Sequence, residues 1–323
     1  MADLTALVFA VALVVALLVD RYLGEPPVRL HPVVWMGNYL NWAASRIHPN
    51  PSPEVRDLKA FWLAALYWCA GAAIFLIVAC ALQWAALQLP WYLAAPLLGL
   101  ALKPMLAWAM LRREVQAVEA ALAKSLDAGR ERLSWLVSRD TMLLSESEVR
   151  ESAIESLAEN LNDSVVAPIF WFVLFGLPGA AVYRFANTAD AMWGYRGLRN
   201  GVNWEWAGKW AAWVDDVLSW LPARLTALLL AWAAGGIQLK VLRCEARKTP
   251  SPNSGWPMAA MALALNIRLG KPGVYTLNAA GRRPLAADTL QAQKQASKVV
   301  LRHVLLGLLA IFLIAYIRWN LLR

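Results

Sequence analysis

The sequence predicts an all-α, polytopic membrane protein with about five to six spanning helices. Of its 323 residues, 59% are hydrophobic and only 16% are charged. A soluble globular domain has a higher charged fraction, roughly 25%. The 18 tryptophans fit a membrane protein, because this side chain collects at membrane–water interfaces. The three cysteines are too few and too scattered to form a disulfide framework or a zinc site.

Long apolar segments place the spanning helices within a single integral membrane domain that covers residues 1–323. We expect spans at about 3–19, 61–89, 91–111, 164–183, 217–239 and 299–317. A polar helical segment at 112–163 and a basic loop at 240–298 are expected between them. The segment at 112–163 is too charged to lie in lipid.

The predicted span at 164–183 is expected to be broken or re-entrant near 164–190. Pro168, Gly176 and Pro178 divide it into two apolar pieces, each too short to cross a membrane alone. Either one kinked helix crosses, or two half-helices enter and return. Broken helices occur in membranes where they line a site, because the released backbone groups need partners.

The net charge of +9 is concentrated in one segment. Residues 240–298 contain ten lysines and arginines against two acids, whereas residues 112–163 contain seven basic and eleven acidic residues. The positive-inside rule explains the basic segment, and contact with anionic lipid or an anionic substrate is the alternative. Charge counting favours a single crossing by 164–183. Grouping every polar motif on one side favours a further re-entrant element.

The helix before residue 164 carries its acidic side chains on one face. At about 100° per residue, this acidic face comprises Glu148, Glu151, Glu155, Glu159 and Asn162, with Asp163 at its margin. Like charges four residues apart repel by roughly 0.2–0.5 kcal/mol per pair, so the face does not stabilise the helix. A solvated surface is the simple explanation. Carboxylates beside hydrocarbon, however, need water, a partner or a cation, which favours a site for Mg²⁺ or a basic substrate.

Further polar clusters lie at the edges of predicted spans. They are Arg139-Asp140, Asn187-Thr188 with Asp190, Asp215-Asp216 before an apolar helix, and His31 before Pro32. Each has a local explanation as a helix cap, an ion pair, a dipole partner or a turn residue. So many polar groups beside hydrocarbon nevertheless favour a functional site. No Walker loop, dinucleotide fingerprint, kinase motif, nucleophile elbow or HExxH sequence occurs, although ATP use does not require a Walker loop.

The polar motifs together, in chain order, resemble a known family. They are Asp20, Gly24-Glu25-Pro26, His31-Pro32-Val33, Ser138-Arg139-Asp140-Thr141, the run from Glu155 through Glu159-Asn160 and Asp163 to Pro168, Tyr183-Arg184, Asn187-Thr188 with Asp190, Asp215-Asp216, Pro222 with Arg224, and the run from Ser251 to Met258. This set resembles the adenosylcobinamide-phosphate synthase family of cobalamin biosynthesis, integral membrane proteins of bacteria and archaea. The resemblance covers nearly the whole chain. Glu25 stands where the family usually has Asp, which keeps the charge.

The resemblance implies an amide ligation that consumes ATP and requires Mg²⁺. The carboxylate of adenosylcobyric acid, a corrinoid, would be joined to the amine of (R)-1-aminopropan-2-ol O-phosphate. The resemblance also implies a multi-pass protein of the bacterial inner membrane. Expected partners are the lipid bilayer, other membrane enzymes of the pathway and a second copy of the chain, but no nucleic acid.

Residue roles follow from the matched motifs as hypotheses. Metal ligands are expected at Glu155, Glu159, Asp163, Asp215 and Asp216. Catalytic groups are expected at Arg139, Arg184, Asn187 and Asp190, with Asp190 as the base that accepts the amine proton. Substrate contacts are expected from His31, Asp140, Asn160, Thr188, Arg224, Ser251, Asn253 and Gly255. The arginines suit phosphate oxygens because a guanidinium presents a planar fork to them.

Two other functional classes remain open. A transporter of a small or corrinoid solute would also contain broken helices and intramembrane acids, although no internal repeat is visible. A regulatory membrane protein of the same fold without catalysis is the other alternative. An assay of purified protein with the two substrates distinguishes an enzyme from both alternatives, because only an enzyme forms the amide product.

Overall fold

The computed structural model describes residues 2–52, 55–199 and 201–321, and the chain is almost entirely helical. The helices are α1 (Ala2–Tyr22), α2 (Pro32–Ala44), α3 (Leu58–Leu87), α4 (Trp91–Leu102), α5 (Trp108–Leu122), α6 (Leu126–Ser134), α7 (Glu146–Leu161), α8 (Ala167–Trp193), α9 (Lys209–Ala233), α10 (Leu239–Ala246), α11 (Gly255–Leu265) and α12 (Ala286–Leu321). Two short antiparallel hairpins pair β1 (Leu198–Arg199) with β2 (Val202–Asn203) and β3 (Leu269–Lys271) with β4 (Tyr275–Leu277). The predicted all-α fold class is confirmed.

Five stretches of helix have the length and hydropathy needed to cross a membrane. They are Leu4–Tyr22, Leu58–Leu87, Trp91–Leu122, Glu146–Trp193 and Ala286–Leu321. The prediction of a polytopic helical membrane protein is therefore confirmed. Within the described ranges, α9 is not one of the five, although the sequence predicted a span at 217–239. The charges of Asp216 and Arg224 lower the mean hydropathy of this helix.

The chain divides into two compact units. The first comprises the described residues of 1–106, 167–218 and 307–323. In it α1 packs against α4, and α3 packs against α8. Gly99 permits close approach of α4, because a Cβ there would overlap Val15 of α1. Phe185 of α8 contacts Trp68 and Phe75 of α3, with ring centroids 5.7 and 5.4 Å away.

Helix α8 is interrupted at Gly176, where φ is +70° and ψ is −156°. This conformation is essentially restricted to glycine. Pro178 adds to the break because it has no amide hydrogen for the helical ladder. The Leu177 amide donates instead to Oε1 of Gln83 on α3, at 2.8 Å. The predicted broken helix is confirmed, and a side chain of the neighbouring helix bonds a backbone group at the break.

The second unit comprises the described residues of 107–166 and 219–306. Its core between α5, α6 and α7 is formed by Val118, Leu122, Leu133, Leu144, Val149 and Ala153. Helix α7 begins with a capping box, in which the Glu148 carboxylate accepts from the Ser145 amide at 2.7 Å. It ends in a π-helical turn at Asn162–Val166, a feature frequent at functional sites. Helix α11 and strand β3 pack against α7.

Residues 240–298 are folded, which corrects the expectation of a basic loop. They contain α10, α11, β3 and β4, and α12 already begins at Ala286 rather than near 299. The first turns of α12 are polar, so hydropathy could not assign them to the last span. They also bond to α5, where Thr289 donates to Glu119 at 2.8 Å.

We predict that Gly176→Ala destabilises the protein more than Gly197→Ala does. Both glycines have positive φ, +70° and +78°. A side chain in this region costs about 1–2 kcal/mol. At Gly176 the added Cβ would also overlap Gln83, whereas nothing lies within 4 Å at Gly197. Thermal unfolding in detergent measures both variants, and equal losses would contradict a tight junction between α3 and α8.

Candidate active site

The acidic face of α7 is packed at its centre. Glu151 and Glu155 are each 2% exposed. Arg268 donates to Glu151 at 3.0 Å, and Arg139 donates to Glu155 at 2.8 Å. Burying an ion costs several kcal/mol, so such carboxylates require partners. A simple solvated surface therefore does not describe these two residues.

A cavity of about 360 Å³ opens beside this face. Its lining includes Arg139, Glu155, Glu159, Asn160 and Ser251. The sequence assigned all five to the site, and the structure brings them together around one space. Asn160, which broke the helical pattern as a polar residue on the apolar side, is fixed by its own helix. Its amide donates to the carbonyl of the residue four positions earlier at 3.0 Å.

Glu155 is incompletely bonded in this cavity. Its Oε2 accepts from Nη2 of Arg139, and the Tyr275 hydroxyl interacts with the same carboxylate, but Oε1 is buried and meets no donor in hydrogen-bonding geometry in the described part of the chain. Nη1 of Arg139 is also buried and, among the same described residues, lacks an acceptor. A buried polar atom left unbonded costs about 1–3 kcal/mol, and more when it is charged. Both residues line the cavity, and two unbonded charged atoms on its lining residues make it a candidate ligand-binding site.

The carboxylates fit a magnesium ion that shares its ligands with phosphate. Glu159 lines the cavity with Glu155 and is half-buried, whereas Asp163 lies in the π-helical turn outside the lining. Over the described ranges, no group of three or more His, Cys, Asp or Glu side chains could hold a metal ion. Mg²⁺ commonly takes only one or two protein carboxylates and completes its shell with waters and phosphate oxygens. Glu155 and Glu159 match that requirement.

Arg224 holds the loop that precedes α11. Its guanidinium donates to Oδ1 of Asn253 and, at 2.9 Å, to the Pro252 carbonyl. Ser251 Oγ accepts amide hydrogen bonds from two following residues at 3.2 Å each. Gly255 begins α11, and a Cβ there would overlap the backbone of α10. Of these predicted substrate-binding residues, Ser251 lines the cavity, whereas Arg224, Asn253 and Gly255 lie outside its lining and hold the segment that carries Ser251.

Hairpin β3–β4 supplies two cavity residues that the sequence analysis missed, Lys271 and Tyr275, which face each other in the hairpin register. Burial raises the pKa of the Tyr275 hydroxyl, and the negative charge of Glu155 raises it further. The hydroxyl therefore stays protonated and can donate a hydrogen bond. The one sequence signal is the Pro272-Gly273 turn, because strands of three residues are too short to be recognised by alternation.

Asp140 does not line the cavity, although the sequence predicted a substrate contact. Its side chain is exposed, and its Oδ1 accepts from the Met142 amide at 2.9 Å. This bond closes a local turn, as Asp side chains often do. The alternative of a local cap is the better description of Asp140 in this structure.

A second group of predicted site residues lies on α8 and α9 in the first unit. Arg184, Asn187 and Asp190 are three residues apart on a continuous helix, so they share one face. Asn187 donates to Oδ1 of Asp215 at 3.4 Å. The Thr188 hydroxyl donates within its own helix, to the carbonyl four residues before it, at 2.7 Å.

The Asp215-Asp216 pair lies inside its helix, which corrects the expectation that it precedes one. Helix α9 begins at Lys209, so the two carboxylates lie in its second turn. The favourable interaction of these carboxylates with the helix dipole is therefore weaker than it would be in the first turn. Both are half-buried, and each has interactions within the structure.

A buried cluster in the first unit contains His31 together with Lys103, which the sequence analysis did not assign. The Lys103 ammonium is 2.6 Å from Glu25 and 3.2 Å from Asp20. His31 Nε2 lies 3.2 Å from Glu25, and its Nδ1 accepts from the Val33 amide at the start of α2. His31 thus caps a helix and belongs to an ionic network.

The stability of this cluster is predicted to depend on Glu25 in a pH-dependent way. Burial alone would raise the pKa of Glu25, but hydrogen bonds from His31 and Lys103 outweigh it and hold the pKa below its usual value. A lowered pKa contributes stability that is complete above the unfolded pKa, 4.5, and is lost as pH falls through the folded pKa.

Thermal unfolding of the wild type and Glu25→Gln in detergent, between about pH 3 and pH 7, tests this expectation. The variant should be less stable by about 1–3 kcal/mol near neutrality, and the difference should shrink below about pH 4.5. The exposed Glu131, changed to Gln, is the control. A difference that stays constant with pH would contradict the account.

Comparison with known proteins identifies the family. A sequence model described as "CobD/Cbib protein" matches residues 13–304. The chain is 39% identical over 272 residues to the "Probable cobalamin biosynthesis protein CobD" of Methanothermobacter thermautotrophicus, covering 82% of this chain and 85% of that protein. It is 42% identical over 282 residues to the protein of that name from Thermococcus kodakarensis, with 87% and 89% covered. It is 39% identical over 296 residues to the "Cobalamin biosynthesis protein CobD" of Chromobacterium violaceum, with 90% and 91% covered.

No solved structure matches the chain. The matches to the family model and to its relatives each cover most of the sequence, and they span both compact units. The chain belongs to the CobD/Cbib family.

Proposed function

We propose that the chain acts in cobalamin biosynthesis as an amide ligase that uses ATP and Mg²⁺. The names of its relatives support the pathway. The resemblance of its motifs to the adenosylcobinamide-phosphate synthases supports the reaction. The ligase joins the propionate carboxylate of adenosylcobyric acid to the amine of (R)-1-aminopropan-2-ol O-phosphate. The products are adenosylcobinamide phosphate, ADP and phosphate.

This chemistry requires a site that binds phosphate and excludes water. A carboxylate is a poor electrophile, so phosphoryl transfer from ATP must first convert it to an acyl phosphate. The amine then attacks the acyl carbon, and phosphate leaves. Water that reached the acyl phosphate would hydrolyse it, which favours an enclosed site over an exposed surface.

The observation that carries the proposal is the unbonded Oε1 of Glu155 beside the unbonded Nη1 of Arg139. A carboxylate oxygen without a partner can accept a cation, and a guanidinium nitrogen without a partner can bind an anionic oxygen. A metal–phosphate ligand offers both charges at once. An apolar solute would leave both atoms unbonded, and each buried unbonded polar atom costs about 1–3 kcal/mol.

The residues of the second unit have distinct proposed roles. Glu155 through Oε1, and Glu159, would hold Mg²⁺, which neutralises phosphate charge when it is bound. Arg139 binds a phosphate oxygen through Nη1 and pairs with Glu155 through Nη2. Ser251 donates its hydroxyl hydrogen to a substrate oxygen, and Asn160, held by its own helix, shapes the cavity wall. The catalytic roles of Asp190, Arg184 and Asn187, and metal binding by Asp163, Asp215 and Asp216, stay predictions.

The protein is proposed to work in the bacterial inner membrane, in contact with lipid. The five membrane-crossing stretches support a multi-pass protein. Contacts with other membrane enzymes of the pathway, and self-association, stay predictions.

A transporter is the second candidate, and the break of α8 at Gly176 favours it. Reconstituted liposomes distinguish the two functions. A transporter moves a corrinoid solute across the bilayer without forming an amide. A ligase forms the amide and needs no gradient.

Substitution of the cavity carboxylates tests the ligase proposal. Purified protein is supplied with both substrates, ATP and titrated Mg²⁺, and product is measured by mass spectrometry. We expect Glu155→Gln to lower kcat by about a hundredfold or more, as loss of a preorganised charged group does. Glu159→Gln should raise the Mg²⁺ concentration that gives half-maximal activity. Asp163→Asn should have a smaller effect, because Asp163 lies outside the cavity lining.

Glu131→Gln is the matched control, because Glu131 is an exposed carboxylate on α6 away from the cavity. It should retain wild-type activity. Full activity with unchanged Mg²⁺ dependence in Glu155→Gln, Glu159→Gln and Asp163→Asn would overturn the metal assignment. Absence of amide product from the wild type would overturn the ligase proposal.

A further inference from the structure

Lys271 occupies a fixed position at the cavity although no motif pointed to it. It is the last residue of β3, directly before the turn that leads into β4. The turn is closed by the Val274 amide, which donates to the Lys271 carbonyl at 3.0 Å. Gly273 has φ of +72° and permits this tight turn. The hairpin therefore holds the base of the lysine side chain in place.

Lys271 also differs from the arginines around the acidic face of α7. Arg268 is paired with Glu151, and Arg150 is paired with Glu119 at 2.9 Å. The Lys271 ammonium makes no hydrogen bond or ion pair to any residue in the described ranges. It nevertheless lines the same cavity as Glu155, and its charge acts on that carboxylate. A lysine in this position is available for an anion.

The amino-terminal end of α11 borders the same space. Ser251 and Ser254 line the cavity immediately before Gly255, the first residue of this helix of 11 residues. The start of a helix carries partial positive charge and amide donors, which suit phosphate oxygens. The independent sign of an anionic ligand here is the buried Nη1 of Arg139, a cationic donor that lacks an acceptor among the described residues, on a side chain that lines the same cavity.

We propose that Lys271, together with Arg139 and the start of α11, binds a phosphoryl group, and that Lys271 touches it directly. The inference rests on the proposed function, because a phosphate-bearing substrate is what the ligation requires. The phosphoryl group belongs either to the end of ATP or to the aminoalcohol phosphate. Lysine acts on it as a mobile point charge, whereas Arg139 fixes the orientation through its planar fork.

Lys271→Ala and Lys271→Arg are compared with Lys240→Ala, an exposed lysine on α10 away from the cavity. Steady-state ligation gives separate KM values for ATP and for the aminoalcohol phosphate. Lys271→Ala should raise one of the two by about tenfold to a hundredfold, which a lost charged hydrogen bond produces. The substrate whose KM rises identifies the source of the phosphoryl group. Lys271→Arg should recover most of the loss, and Lys240→Ala should match the wild type.

Direct binding separates this inference from the proposed function. Calorimetry with inorganic pyrophosphate, on detergent-solubilised protein, needs no turnover. Wild type, Lys271→Arg and Lys240→Ala should bind it, and Lys271→Ala should bind it at least about tenfold more weakly. Binding that depends on Lys271 in a protein without ligase activity would support the phosphate site and overturn the ligase.

Unchanged KM values and unchanged pyrophosphate affinity in Lys271→Ala would overturn the phosphate role, whatever the ligase activity. Thermal unfolding distinguishes direct contact with the phosphoryl group from a purely structural role of Lys271. Lys271 is exposed and lies at a turn, so Lys271→Ala should unfold at the wild-type temperature. A loss of binding accompanied by a matching loss of stability, without rescue by arginine, would also contradict direct contact.

Discussion

The pairing of Glu155 with Arg139 determines what the cavity beside α7 can bind. The carboxylate is almost fully removed from water, and its neighbour uses only one of its two oxygens. Both partners keep an unbonded polar atom in the described structure. A protein interior tolerates such an arrangement at a cost, and natural structures contain few examples of it. The metal–phosphate ligand that we propose carries both charges and would recover this cost.

The surrounding structure keeps this pair in position. The capping box at Ser145 fixes the first turn of α7, and the apolar core on its other side sets the rotation of the helix. Arg224 bonds the loop that leads into α11. The cavity is thus bordered by elements that are each held by contacts of their own, which is what preorganises a binding site.

Sequence reasoning succeeded where one element carried the whole pattern. Glu155 and Glu159 share one face of one helix, so helical periodicity could place them together, whereas Asn160 was assigned through the family motif. The break at Gly176 could be predicted because glycine and proline act locally. Features that depend on contacts between segments distant in sequence could not be predicted. Lys271 reaches the cavity through a hairpin too short to show alternation, and the polar start of α12, which hydropathy could not assign to a span, bonds to α5.

The most direct test is a cryo-electron microscopy map of the protein with Mg²⁺ and a non-hydrolysable ATP analogue. The account predicts a cation at coordinating distance from Oε1 of Glu155, with phosphate density in reach of Arg139 and Lys271. A map in which the nucleotide lies elsewhere, while the cavity holds only water and the Glu155–Arg139 pair is unchanged, would contradict it.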